Sequence, residues 1–142
     1  LCRNASGGTL TDAAKKIVKI DHDNPGSVTG LCAIADSDDW HAPVDEYIPS
    51  TYDIPAGALF YVVNEGRGLC RTSAAVSGVS ITAGMICQPA TGGFINGSNT
   101  IIAAGNMDSA WLQMTRNCRI EARTAYTGSA AAADIDVWVH KR

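Results

Sequence analysis

The stretch Asp134-Ile-Asp-Val-Trp-Val-His140 decides the fold, because one set of alternate positions is wholly apolar. Such alternation is the pattern of a β-strand that buries one face in a core. Ile135, Val137 and Val139 occupy the apolar face, and Trp138 falls on the opposite face among charged residues. The stretch therefore predicts a core strand that carries an outward-facing tryptophan.

Other short segments along the chain have the same character, since their apolar residues alternate or form brief runs between turn residues. The other strands are predicted at residues 16–21, 28–35, 59–64, 69–73, 85–88, 93–95, 100–103, 110–115 and 118–125. Residues 10–16, with Thr11-Asp12 as a cap, are compatible with one helical turn. These patterns predict an all-β fold, a small β-barrel or β-sandwich with short hairpins and little helix, in a single domain spanning residues 1–142.

Turn residues separate these strands. Glycine and asparagine favour the backbone conformations of tight turns. The predicted turns are Gly66-Arg-Gly68, Thr91-Gly-Gly93, Asn96-Gly97 and Tyr126-Thr-Gly-Ser129.

The chain also contains a short internal sequence repeat, here called the echo. Ile54-Pro-Ala-Gly57 returns as Ile81-Thr-Ala-Gly84, 27 residues later. Each copy predicts a turn that leads into a strand. Two copies are too few for a solenoid, which needs at least three repeats to bury a continuous core.

Length and composition exclude several classes of protein. A chain of 142 residues buries roughly 68% of its extended surface on folding, enough for a core of its own. Eleven Lys and Arg residues against fourteen Asp and Glu leave a net charge of −3, so the chain lacks the basic surface that nucleic-acid binding requires. The longest apolar run, residues 58–63, has six residues, whereas a membrane-spanning helix needs about 20. We therefore expect neither nucleic acid nor a membrane as a partner.

Motifs of catalysis and cofactor binding are absent from the sequence, which has neither a nucleophile elbow nor a phosphate-binding loop. His41 beside Asp36-Ser-Asp-Asp39 is the one cluster with metal-binding residue types. It lacks the glycine and the distal glutamate of a calcium loop, which favours a solvated acidic loop. The sequence thus predicts a protein that is not an enzyme, with no catalytic residues, no cofactor and no metal site.

Five cysteines stand at positions 2, 32, 70, 87 and 118. Their odd number and irregular spacing, with no Cys-x-x-Cys and no nearby histidine pair, argue against a zinc site and against a disulfide framework. Cys32 and Cys87 lie within apolar segments, where cysteine behaves as a small hydrophobic residue. We predict five reduced thiols.

The tryptophans are the strongest candidates for contact with another chain. In Ala110-Trp-Leu-Gln-Met-Thr115 the apolar face excludes Trp111, as the face of the last strand excludes Trp138. Trp40 falls in the acidic loop. Large aromatic side chains outside a core are typical of interfaces. The alternative is that a second layer or a long loop of the same subunit covers them.

Two further groups of residues extend the candidate interface. The loop of residues 40–53 carries Tyr47 and Tyr52 between clear strands, and a long proline-bearing excursion of this kind is either a partner-binding loop or an edge strand with its turn. Arg119 and Arg123 alternate with the apolar positions of their strand. They either pair with a charged partner or form an ordinary solvated face.

Several segments together resemble the small β-rich module of tailed-bacteriophage virions, found in capsid decoration (cement) proteins and related fibre modules. The module combines a glycine-rich entry, a Gly-led apolar strand and Gly-containing turns that launch further strands. The segments that carry the resemblance are Leu1-Cys-Arg-Asn-Ala-Ser-Gly-Gly-Thr-Leu-Thr11, Lys16-Ile-Val-Lys-Ile-Asp21, Gly30-Leu-Cys-Ala-Ile-Ala-Asp36, Ile54-Pro-Ala-Gly57, Ala58-Leu-Phe-Tyr-Val-Val-Asn-Glu-Gly66 and Gly78-Val-Ser-Ile-Thr-Ala-Gly-Met-Ile86.

The resemblance implies a non-enzymatic virion protein that binds the outer surface of the shell formed by the major capsid protein and stabilises it. It further implies a homotrimer at three-fold or quasi-three-fold positions, assembled in the cytoplasm of a bacterial host. The alternatives are a fibre, spike or tail module that contacts a receptor, and a carbohydrate-binding β-barrel that stacks sugars on Trp40, Tyr47 and Tyr52. The predicted partner interface consists of Arg3, Asn4, Trp40, Tyr47, Tyr52, Trp111, Arg119, Arg123 and Trp138.

Overall fold

The computed structural model describes residues 1–33, 40–49, 51–73, 80–97, 119–127 and 132–140, and in these ranges the regular structure is strand and turn, without helix. The predicted all-β fold is confirmed. The strands are β1 (Cys2–Asn4), β2 (Ile17–Ile20), β3 (Ser27–Leu31), β4 (His41–Pro43), β5 (Leu59–Phe60), β6 (Gly66–Arg71), β7 (Ser80–Ile81), β8 (Ile86–Ala90), β9 (Phe94–Gly97), β10 (Arg119–Ala122), β11 (Tyr126–Thr127) and β12 (Asp134–His140).

Sheet I has the strand order β4-β2-β3-β1-β5, in which β1 and β3 run parallel. Its two edges meet, because Val44 and Val62 form a bridge just beyond β4 and β5. The sheet is therefore curled around its own core. That core consists of Cys2, Leu10, Ala13, Val18, Ile20, Val28, Ala42, Val44, Ile54 and Phe60.

Sheet II has the order β6-β12-β10-β8-β9, and a bridge between Thr72 and Ile95 links its first and last strands. The predicted strand at residues 134–140 is confirmed with its bounds as β12. Val137 and Val139 are fully buried, as their alternation predicts. The core of sheet II consists of Ile17, Cys32, Cys70, Ile81, Cys87, Ile95, Ile120, Ala122, Tyr126, Ile135, Val137 and Val139.

Strand β2 belongs to both cores. Ile17 packs into the core of sheet II, whereas its neighbour Val18 packs into that of sheet I, because successive side chains of a strand point to opposite faces. Trp40 is half-buried and packs against both cores. The prediction that Trp40 lies off the core is therefore wrong, since its side chain packs against the cores of both sheets.

Gly93 joins the two sheets at the turn between β8 and β9. The predicted turn Thr91-Gly-Gly93 is confirmed. Gly93 has a φ of +78°, a backbone conformation that glycine adopts far more easily than other residues. Its carbonyl accepts from Ile17 N at 2.6 Å, and its N–H donates to Cys32 O at 2.8 Å. This turn thus hydrogen-bonds sheet II directly to strand β2 and to the chain after β3.

The sequence echo corresponds to a structural repeat. Ile54-Pro-Ala-Gly57 and Ile81-Thr-Ala-Gly84 each form a turn that leads into a strand, β5 or β8, as predicted, with φ near +80° at both glycines. Each turn exchanges two backbone hydrogen bonds with one core-strand residue, at 2.7 to 2.9 Å: Gly57 and Ala58 with Asn4, and Gly84 and Met85 with Ala122. The same local motif therefore docks once against β1 and once against β10.

Several predicted turns are strands instead. Gly66-Arg-Gly68 begins β6, Asn96-Gly97 ends β9, and Tyr126-Thr127 forms β11. Gly68 serves packing, because a Cβ there would lie 3.3 Å from Val63 Cγ2. The predicted strand at residues 59–64 shrinks to the two residues of β5. The strands predicted at residues 100–103 and 110–115 lie outside the described residues.

The helical turn predicted at residues 10–16 does not form. Leu10 bridges to Ile54 in extended conformation, and Asp12 and Lys15 have φ values of +49° and +61°. A right-handed helix requires negative φ throughout, so this segment is a pair of turns that crosses from sheet I toward sheet II.

Cys2, Cys32, Cys70 and Cys87 are buried cysteines outside any disulfide, which confirms the predicted reduced state for these four; Cys118 lies outside the described residues. Burial raises the pKa of Cys87 from 9.0 to about 12 and that of Cys70 well above its ordinary value. The stability that these neutral thiols contribute is thus present below pH 9 and is lost as pH rises toward 12.

We expect a thiol reagent at pH 8 to leave the four buried cysteines unmodified in the folded protein and to label five per chain in denaturant. Thiolate is the reacting form, and burial limits both its formation and its access. Mass spectrometry of the labelled chain counts the modified residues. A denatured count of three or one would reveal disulfides, contrary to this expectation.

Candidate interaction surface

In the described part of the chain, no three His, Cys, Asp or Glu side chains lie close enough to hold a metal ion. The same residues include no helix of the length and apolarity needed to cross a bilayer. His41, predicted in a solvated loop, is instead 2% exposed on β4; residues 36–39 beside it lie outside the described ranges.

An apolar strip runs along the outer side of sheet I, here called the β5 strip, formed by Leu1, Leu59 and Tyr61 beside Arg3. β5 pairs antiparallel with β1, with Arg3 opposite Leu59 and Cys2 opposite Phe60; Leu1 and Tyr61 directly adjoin this last pair. The alternate residue Phe60 points into the core, so Leu59 and Tyr61 point outward, each 61% exposed. Leu1 is 66% exposed. Water thus covers three large apolar side chains on adjacent strands.

Tyr47 extends this aromatic surface. Asp45 N donates to Tyr61 O at 3.0 Å, and Asp45 Oδ1 accepts from Tyr47 N at 2.9 Å. These bonds attach the segment of Tyr47 to the strand of the β5 strip. The side chain of Tyr47 is 87% exposed.

The outer face of sheet II centres on Trp138. The cross-strand partners of Trp138 are Arg67 on β6 and Glu121 on β10. Asp136 and His140 flank it along β12. Trp138 is 42% exposed, which confirms the predicted outward orientation. We call these five residues the Trp138 platform.

A network of ion pairs fastens the turn segment of residues 12–16 to sheet II. Asp134 Oδ2 accepts from Lys15 Nζ at 2.7 Å, and Asp134 Oδ1 accepts from Arg71 Nε at 3.0 Å. Arg71 also lies 3.4 Å from Asp12. Partial burial opposes the ionisation of Asp134, but the hydrogen bonds from Lys15 and Arg71 outweigh it, and the pKa of Asp134 is lowered.

We expect Asp134→Asn to destabilise the protein by about 1 kcal/mol at pH 7, because a solvent-screened pair contributes little more than this. Because the pKa of Asp134 is lowered in the folded state, its carboxylate stabilises the fold at pH values above its ordinary pKa of 3.8. That contribution disappears as pH falls through the folded-state pKa. The difference from wild type should therefore shrink below pH 4. Urea unfolding at pH 7 and pH 3 measures the difference in the free energy of unfolding. The control is Asp136→Asn, which removes a carboxylate from a more exposed ion pair and should lower the free energy of unfolding by less. An unchanged difference at pH 3 would exclude this origin.

The predicted interface residues divide into exposed, half-buried, buried and undescribed ones, and Trp40 is the half-buried one. Asn4 is 1% exposed, and its side-chain amide donates to three backbone carbonyls of its own chain. It is therefore not available to a partner, and its assignment to the interface is wrong. Trp111 lies outside the described residues, and Arg119 is described only in its backbone, at the start of β10. The exposed ones are Arg3, Tyr47, Tyr52, Arg123 and Trp138.

Sequence reasoning missed Leu59, Tyr61 and Arg67. The uninterrupted apolar run at residues 58–63 suggests a strand buried on both faces, yet Leu59 and Tyr61 alternate with Phe60 and Val62. The signal lay in Tyr61, since a tyrosine carries a polar hydroxyl that favours a surface position. The sequence predicts a turn at Arg67, and a turn residue cannot be placed on either face of a sheet.

Comparisons of the chain with protein-family models, curated proteins and solved structures found no match. The all-β fold is thus established by the structure alone. The described residues present two exposed surfaces with aromatic side chains, the β5 strip and the Trp138 platform.

Proposed function

We propose that this protein is a non-enzymatic structural protein of a tailed-bacteriophage virion, a decoration protein that binds the outer surface of the major capsid shell. The observation that supports this most is the β5 strip. Exposed apolar patches on soluble proteins commonly mark sites of association with another protein. The strip joins aromatic, leucine and arginine side chains, and aromatic residues and arginine are enriched at such interfaces.

The capsid shell is proposed as the partner because of the sequence resemblance to decoration proteins. Decoration modules bind assembled shells as trimers at three-fold or quasi-three-fold positions, and a strip on the outside of a curled sheet has the open geometry that contact with a large surface needs. A protein that binds the assembled lattice but not its free subunits stabilises the lattice by mass action. In this proposal the β5 strip lies against the capsid or a neighbouring copy, on the outside of the virion.

We expect the double variant Leu59→Ser and Tyr61→Ser to fold normally but to bind shells at least 30-fold more weakly. Truncation of an interface anchor costs about 2–4 kcal/mol, and 2 kcal/mol corresponds to roughly 30-fold in affinity. The measurement is co-sedimentation of the purified protein with undecorated shells of the virus that encodes it.

The matched control is Thr29→Ala, which changes another exposed strand residue of sheet I. It should bind like wild type. Wild-type protein that fails to bind the shells would contradict the decoration role. Co-sedimentation with purified tails but not with shells would favour a fibre, spike or tail module, and normal binding by the double variant would exclude the strip.

A further inference from the structure

We propose that the Trp138 platform is a binding subsite for a neutral saccharide. This proposal is independent of the capsid role, because it rests on a different sheet and on different residues. It also differs from the carbohydrate site expected at Trp40, Tyr47 and Tyr52, since Trp40 packs between the two cores.

The position of Trp138 makes it a rigid stacking surface. β12 is flanked on both sides by hydrogen-bonded strands, with β6 at one edge and β10 at the other. Its neighbours Val137 and Val139 are fully buried, which fixes the strand beneath the ring. The apolar C–H face of a pyranose packs on an indole, and the large area of tryptophan makes that contact favourable.

Polar groups surround the ring where the hydroxyls of a stacked sugar would extend. Arg67 Nη2 donates to Asp136 Oδ1 at 2.9 Å and Oδ2 at 3.2 Å, and His140 Nε2 lies 2.7 Å from Glu121 Oε2. A carboxylate offers about four acceptor sites and a guanidinium five donors, so both pairs retain capacity for further bonds. Sugar hydroxyls both donate and accept, and they match such a mixed rim.

The charge of the rim selects against ionic ligands. Arg67 is paired with Asp136, and Arg123 lies 4.0 Å from Glu121. Each carboxylate of the rim is therefore matched by a guanidinium, which gives an acidic sugar or a nucleotide no net attraction. A protein partner fits less well, because desolvating these ion pairs would cost more than a single aromatic contact returns.

The test is binding of the purified protein to an array of neutral gluco-, galacto- and manno-configured oligosaccharides alongside sialylated and sulfated ones, followed by titration of the best ligand. We expect wild type to bind neutral glycans, Trp138→Ala to lose at least tenfold in affinity, and Trp138→Phe to retain part of it. The double variant Glu121→Gln and Asp136→Asn should weaken binding with the ring intact.

Matched controls separate this proposal from the others. Tyr52→Ala removes an exposed aromatic ring elsewhere and should bind like wild type, as should the Leu59→Ser and Tyr61→Ser double variant. Thermal unfolding shows whether each variant is folded. No neutral glycan bound at millimolar concentration, preference for acidic glycans, or unchanged affinity in folded Trp138→Ala would each overturn the proposal.

Discussion

Gly93→Ala is expected to destabilise the protein by about 3 kcal/mol, because the new methyl group has no space. A Cβ at this position would lie 2.8 Å from Ile17 O, 3.1 Å from Lys16 Cβ and 3.2 Å from Leu31 Cδ2. The nearest atom belongs to the backbone of β2, which is held by both cores. Overpacking costs about 1–3 kcal/mol, and the left-handed φ of +78° adds about 1–2 kcal/mol for a residue with a Cβ.

The matched control is Gly84→Ala. Gly84 has a φ of +83°, and a Cβ there would meet no atom within 4 Å. The control therefore carries the backbone strain without the clash and should cost about 1–2 kcal/mol. Urea unfolding of both variants measures the difference directly. Equal losses in the two variants would show that Gly93 is required only for its φ and that the contact with β2 is not tight.

Asn4→Asp is expected to cost about 4 kcal/mol at pH 7, although the two side chains have nearly the same shape. The side-chain nitrogen of Asn4 donates to Gly8 O at 2.8 Å, Ile54 O at 2.9 Å and Pro55 O at 3.1 Å. Aspartate replaces that donor with an acceptor that faces three carbonyl oxygens. An uncompensated buried charge costs about 3–5 kcal/mol.

Two comparisons isolate this cause. The loss should shrink at pH 3 relative to wild type at the same pH, because protonation removes the charge and supplies one donor. Ser6→Ala removes the hydroxyl that donates to Asn4 Oδ1 at 2.7 Å and should cost only about 1 kcal/mol, the net value of one hydrogen bond. Thermal or urea unfolding measures both. A tolerated Asn4→Asp would mean that the loop of residues 5–8 rearranges around the carboxylate.

The sequence predicted the parts of the fold that local pattern controls. Alternation in Asp134-Ile-Asp-Val-Trp-Val-His140 predicts β12 and its two faces. Successive side chains of a strand point to opposite faces, so burial of one face makes every second residue apolar. The two glycines of the echo predicted Gly57 and Gly84 as turns, since both need a positive φ that few other residues adopt. Thr91-Gly-Gly93 was predicted as a turn for the same reason.

The errors arose where tertiary contacts override local preference. Gly68 carries a turn signal, but its lack of a side chain is used to accommodate Val63. Asn4 lies in a segment whose composition is typical of a surface turn. Its side-chain amide nevertheless donates hydrogen bonds to carbonyl oxygens about 50 residues away. Trp40 follows an acidic segment in the sequence. Its burial depends on contacts with the cores of both sheets. The partners of Asn4 and Trp40 lie too far along the chain for a local window to contain them.

The candidate surfaces were only partly predictable for a related reason. Exposure of Trp138 followed from alternation, whereas the pairing of Arg67 with Asp136 and of Glu121 with His140 depends on which strands are neighbours. Strand order is set by the whole chain, and β12 lies between two strands, β6 and β10, that are distant in sequence.

Strand β2 is a wall shared by the two cores, because Ile17 packs into one core and Val18 into the other. Loss of the wall would open both cores at once, so melting of one half removes the support of the other. Calorimetry should accordingly record one heat-absorption peak rather than two. The same wall limits modular evolution, because a half exchanged with another protein would have to bring a strand whose alternate side chains fit two different interiors.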